Sequence, residues 1–204
     1  MQPRRVNAWL SGATAVLLSI GAGCAAGPGT AGPGTAGPGT AGPGTVGPGG
    51  GVPAAEQAQV YAGVLRRYLT TPSDNSFPER TFKRIFVLDR AVPGIGDPQT
   101  EPSTGTAIAA DTQRVVIDTL SDLGPVSFVS DRASVMVADA SCQTVKDDGI
   151  LLTVGPLIGH GERLEIGING YVACLGATWL TYTVEHNPRT GWRVTGTTGT
   201  MAIA

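Results

Sequence analysis

The sequence predicts an α+β domain in which two N-terminal helices pack on an antiparallel, strongly curved sheet of about five or six strands. Three observations lead there. Apolar residues recur at three- and four-residue spacing as far as Leu123. Beyond the stop signal Gly124-Pro125 the spacing changes to two. The apolar runs that follow are separated by turn residues and not by long polar stretches.

Residues 1–23 carry the layout of an export signal peptide: Arg4 and Arg5, an uncharged stretch with Leu10, Val16, Leu17, Leu18 and Ile20, then small residues up to Cys24. Ala22-Gly23-Cys24 resembles the lipobox of bacterial lipoproteins, whose cysteine is diacylated and becomes the new amino terminus. Gly21 stands where that motif usually has an aliphatic residue. The resemblance implies export and a membrane anchor at Cys24 on the outer face of the cell membrane, with simple secretion as the alternative.

Residues 24–53 hold that cysteine and a low-complexity linker, in which Ala-Gly-Pro-Gly-Thr runs from Ala26 to Thr45. Each Pro-Gly supplies the central pair of a type II turn. With almost nothing apolar to bury, the segment is expected to be a disordered tether, spanning about 30 Å on average if flexible. Thr30, Thr35, Thr40 and Thr45 are candidate glycosylation sites.

The chain has 30 Gly and 15 Pro and only 15% charged residues. Signal and linker absorb half of that glycine, which leaves residues 54–204 as one ordinary domain with a single core. Large multidomain enzymes are excluded. The formal net charge is −2, and more negative once Arg4 and Arg5 are removed. No basic run occurs, so nucleic acid is not expected as a partner.

Within the domain, Ala58, Tyr61, Val64, Leu65 and Tyr68 make the stripe of an amphipathic helix over 54–71, ended by Pro72. Residues 82–89 are a strand. A second helix is expected to run from a cap at Thr104 or Thr106 to Leu123. Strand candidates follow at 126–130, 134–138, 150–154, 164–175, 179–186 and 192–197, the last two joined through Asn187-Pro188-Arg189-Thr190-Gly191.

Ile85-Phe86-Val87-Leu88, residues 151–156, Leu180-Thr181-Tyr182-Thr183-Val184-Glu185 and the ending from Gly191-Trp192 to Gly199 resemble uncharacterised actinobacterial exported proteins, often lipoproteins. The resemblance covers most of 56–204. It implies a place in the cell envelope and brings no activity with it. The order of helices before strands also resembles the small cone-shaped folds of the nuclear-transport-factor type, whose concave sheet face forms an apolar pocket.

With Cys24 acylated, Cys142 and Cys174 remain as an even pair, expected to form a disulfide bond that pins the segment near Cys142 to the strand ending at Leu175. No catalytic motif occurs: no Gly-x-Ser-x-Gly, His-Glu-x-x-His or Walker loop. Ser73-Asp74-Asn75 with Arg189-Thr190-Gly191 resembles two signatures of serine β-lactamases, but no Ser-x-x-Lys supplies a nucleophile. The two histidines and two cysteines lack metal-ligand spacing, so neither metal nor cofactor is expected. Asp89-Arg90 and Asp131-Arg132 each follow an apolar strand and suggest strand-end ion pairs.

The candidates for facing a ligand are Tyr171, Trp179, Tyr182 and His160, with Trp192 as a further aromatic; alternation also suits these rings to a core. The expected function is therefore a non-catalytic binding or interaction domain on a stalk, its partner a small molecule, glycan or envelope protein. The alternative is a cell-envelope hydrolase or accessory enzyme using His160 with Asp147 or Asp148.

Overall fold

The computed structural model describes residues 52–77, 81–101, 103–139 and 142–204. The signal and linker expectations, with Cys24, lie outside them.

Helix α1 (Ala54–Thr70) buries the expected stripe, Tyr61, Val64, Leu65 and Tyr68 among it. Glu56 in its first turn and Arg67 in its last suit the helix dipole. It stops because Pro72 forces Thr71 into an extended conformation, φ −114°, ψ 101°. Pro72 then opens a single turn, α2 (Pro72–Asn75), closed by Ser76 in the left-handed region.

The remaining elements are β1 (Arg84–Leu88), β2 (Arg90–Ala91), β3 (Thr106–Ala107), α3 (Ala110–Leu120), β4 (Val126–Val129), a 3-10 turn (Arg132–Val135), β5 (Met136–Asp139), β6 (Cys142–Val145), β7 (Gly149–Val154), β8 (Ile158–His160), β9 (Arg163–Ala173), β10 (Gly176–Asn187) and β11 (Gly191–Ile203). Thr106 caps no helix; it pairs with Ala91 in the β2–β3 ribbon, and α3 starts later. The 134–138 strand candidate begins inside the 3-10 turn.

The expected sheet is corrected in three respects. It is open and seven-stranded, in the order β11-β10-β9-β7-β1-β4 with β8 beside β9. It is mixed: β1 runs parallel to both β4 and β7. It is also not a strongly curved cone carrying two helices; among the described residues three helices and two further two-stranded ribbons, β2–β3 and β5–β6, accompany it.

The physical reason lies in β1, α3 and β4, which form a crossover unit. A parallel pair cannot be joined by a hairpin, so the chain passes through α3 between them. Strand β7 is buried at all its positions, as a strand covered on both faces must be.

Strand β8 continues the lane of β7 along β9 after a break at Gly155-Pro156, since Val154 faces Ile168 and Ile158 faces Glu165. The β10–β11 hairpin closes as expected: Asn187 Oδ1 accepts from the Arg189 N–H at 2.9 Å, and Gly191 takes φ +74°.

The main core fills the space between one sheet face and the helices, with Leu65, Tyr68, Val116, Leu120, Ile166 and Tyr182 at its centre. A smaller one, Phe86, Val135, Val145 and Leu151, lies on the opposite face beneath β5–β6.

Candidate functional site

Alternation along β9 and β10 decides which side chains face the helices. Leu164, Ile166 and Ile168 of β9, with Leu180, Tyr182 and Val184 of β10, enter the main core. Asn169, Tyr171 and Trp179 therefore face the other way. Asn169 and Trp179 are directly paired across the two strands.

On that face the sheet is covered in two places. The β5–β6 ribbon covers one area, and the 92–100 loop covers another. The loop is held by its own hydrogen bonds, Asp97 N–H to Gly94 O at 3.0 Å and Gln99 N–H to Asp97 Oδ1 at 2.9 Å. It touches the sheet where Gly96 meets Gly167, and a Cβ on Gly167 would come within 2.7 Å of the Gly96 nitrogen. The glycine pair thus sets how closely the loop can lie.

Between these covers opens a cleft of about 260 Å³ with Asn169, Tyr171 and Trp179 at its base and Ile95, Asp97 and Arg132 among its walls. Asn169 is only 4% exposed and donates through Nδ2 to Thr178 O at 3.1 Å. Its Oδ1 and the Trp179 indole N–H have no hydrogen-bond partner among the described residues.

The Tyr171 hydroxyl donates to Gln143 O at 2.8 Å, and the Arg132 guanidinium lies over the Tyr171 ring, 4.3 Å from its centroid. Such a stacked guanidinium is attracted by the ring face and keeps its N–H edges free. The disulfide Cys142–Cys174, Cα–Cα 5.6 Å, is formed beside this contact. It ties the start of β6, next to Gln143, to the turn after β9.

The aromatic candidates thus separate into two pairs. Tyr171 and Trp179 line the cleft. Tyr182 is fully buried on the helical side, where its hydroxyl donates to Asp74 Oδ2 at 3.0 Å. Burial, reinforced by the Asp74 carboxylate, drives the Tyr182 pKa upward. Trp192 is also on that side and donates to Glu56 Oε2 at 2.7 Å.

His160 is exposed at the end of β8, opposite Arg163. Asp147 and Asp148, with φ of 58° and 50°, make the turn into β7, and Asp148 pairs with Lys83 at 2.7 Å. The β7–β9 register puts that turn near Ala173, at the other end of β9 from Arg163, about 30 Å away at strand rise. His160 is therefore not brought to either aspartate. Among the described residues no group of three or more His, Cys, Asp or Glu is placed to hold a metal.

Ser73-Asp74-Asn75 proves architectural: Asp74 Oδ2 accepts from Arg67 Nε at 2.8 Å, and Asn75 Nδ2 donates to Tyr68 O at 2.7 Å. The two Asp-Arg pairs behave differently. Asp89 and Arg90 form an ion pair at 3.2 Å. Asp131 instead accepts from the Ala133 N–H at 2.9 Å to start the 3-10 turn, which sends Arg132 to Tyr171.

Sequence reasoning did not single out Asn169, Asp97 or the Gly96–Gly167 contact. For Asn169 a signal existed: a polar residue inside the apolar run of β9, two before Tyr171.

A second cleft of about 250 Å³ opens on the helical side between Val52, Tyr61, Ile108, Leu157 and Leu164. Its one deep polar group is already engaged, since the Tyr61 hydroxyl donates to Gly155 O at 3.3 Å and burial pushes its pKa up to about 12. Compared with known proteins, the chain matches no family model, no curated protein and no solved structure.

Proposed function

We propose that the chain is a surface-displayed lipoprotein whose domain binds a small molecule or glycan, without transforming it, in the cleft over Tyr171 and Trp179. The observation that carries this reading is the composition of the cleft. It offers two aromatic rings, a buried amide, a guanidinium, the Asp97 carboxylate and the Thr100 hydroxyl, and neither histidine nor serine is in its lining. A few convergent polar groups in an otherwise apolar lining are what fixed orientation of a ligand requires.

Display is supported by the signal-like residues 1–23, by Cys24 and by the Gly- and Pro-rich repeat that follows. No helix among the described residues is long and apolar enough to cross a membrane. A lipid at Cys24 is the attachment this reading requires.

Two experiments test the two halves. Calorimetric screening of the full chain against a saccharide and fragment set should yield a ligand whose affinity falls at least ten-fold in Trp179→Ala, with the fold intact by circular dichroism. Undiminished affinity in that variant would overturn the cleft as the site. Radiolabelled palmitate should enter the wild type and not Cys24→Ala; equal labelling would remove the anchor.

A further inference from the structure

Resting on the reading of the cleft as a ligand site, we infer that its ligand is an acidic saccharide: one sugar ring lying on Trp179, with its carboxylate on Arg132. Five arginines of the domain have acidic partners: Arg66 with Asp122, Arg67 with Asp74, Arg90 with Asp89, Arg114 with Asp111 and Arg163 with Glu185. Arg132, like Arg84, Arg189 and Arg193, has no carboxylate in ion-pair range among the described residues, and of these four it is the one that lines the cleft. Stacking on Tyr171 restrains it, so its planar fork is presented with less freedom to lose on binding. That fork matches a carboxylate through two parallel hydrogen bonds.

The rest of the lining selects a sugar over a simple organic acid. A pyranose ring has an apolar C–H face, which suits the Trp179 ring, and a rim of hydroxyls that both donate and accept. The unpartnered Asn169 Oδ1 and the Trp179 N–H meet those two needs. Asp97 has one oxygen engaged by the Gln99 N–H and one left to accept from a hydroxyl.

An apolar acid would desolvate these groups and leave them unpaired, which weakens its binding. A neutral sugar would leave Arg132 unanswered. A volume of about 260 Å³ is small for a binding site and admits a single ring, so a polymer would be held by its terminal residue.

The test titrates the full chain with galacturonic acid and trigalacturonate, and with galactose and galactotriose as neutral counterparts. The expected result is at least ten-fold tighter binding of the acidic pair. Arg132→Gln should abolish that preference, Arg132→Lys should restore part of it, and Trp179→Ala should abolish binding of all sugars. Equal affinity for acidic and neutral sugars overturns the inference while leaving the cleft reading in place. So does a preference for the acidic pair that survives Arg132→Gln. Failure of all four sugars to bind also overturns it, and the cleft reading is then decided by the Trp179→Ala comparison on the fragment set.

Discussion

The Tyr182 hydroxyl of β10 and the Arg67 guanidinium of α1 donate to the same oxygen, Asp74 Oδ2, at 3.0 and 2.8 Å. One carboxylate therefore joins the end of α1, the turn after it and the middle of β10. Asp74 is 7% exposed, whereas the Arg67 side chain is 45% exposed, so the Tyr182 contact is the more protected of the two. Tyr182→Phe should cost about 1–3 kcal/mol, in the range of a hydrogen bond to a charged group. Asp74→Ala should cost more, because it leaves both donors behind. Urea unfolding of the two variants measures the difference.

Alkaline unfolding should show the buried tyrosines. Tyr61 has its pKa raised from 10.0 to about 12 in the folded state by burial. Below pH 10 the stabilisation is complete. Above it the unfolded chain loses the proton first, so stability falls as pH rises through the folded pKa, by about 3 kcal/mol in all. Tyr61→Phe should make the stability curve less steep over pH 10 to 12 without flattening it, because burial also raises the pKa of Tyr68 and Tyr182. An unchanged slope in chemical denaturation across that window would remove Tyr61 as a contributor to it.

Reducing Cys142–Cys174 should lower stability by roughly 3–4 kcal/mol, the loop-entropy value for a sequence separation of 32. Because the bridge lies beside the Tyr171–Gln143 hydrogen bond, reduction should also weaken ligand binding in the cleft. Urea midpoints with and without reductant, and calorimetry at matched folded fraction, separate the two effects.

Gly167→Ala should destabilise by about 1–3 kcal/mol, since its new Cβ would meet the Gly96 backbone and push the 92–100 loop outward. Gly196→Ala is the control. A Cβ there meets nothing within 4 Å, so the expected change is within about 0.5 kcal/mol. Thermal denaturation of the pair decides whether the loop is held by that close approach.

Much of the local structure was legible. The stripe from Ala58 to Tyr68 fixes the buried face of α1, and the Asn187–Gly191 turn joins β10 to β11. The cysteine pair was legible by count. The sense of β1 was not, because a continuous apolar run such as Ile85 to Leu88 suits a buried strand of either direction. What settles it is pairing with Val126 and Ile150, both remote in sequence.

In the cleft, the odd three-residue step from Trp179 to Tyr182 already places the two rings on opposite faces of a strand. Arg132 was not legible as a neighbour of Tyr171. Its position depends on the Asp131 cap and on a ribbon folding back over the sheet, which no local pattern encodes.

Val52, just ahead of α1, packs on the helical side, and its carbonyl accepts from Gln57 Nε2 at 2.9 Å. The cleft belongs to β9 and β10 on the reverse face, with a covalent brace of its own at Cys142–Cys174. The two faces of the sheet are thus braced independently: Val52 and α1 hold the helical side, while the surface built around Trp179 has its own covalent staple on the reverse side.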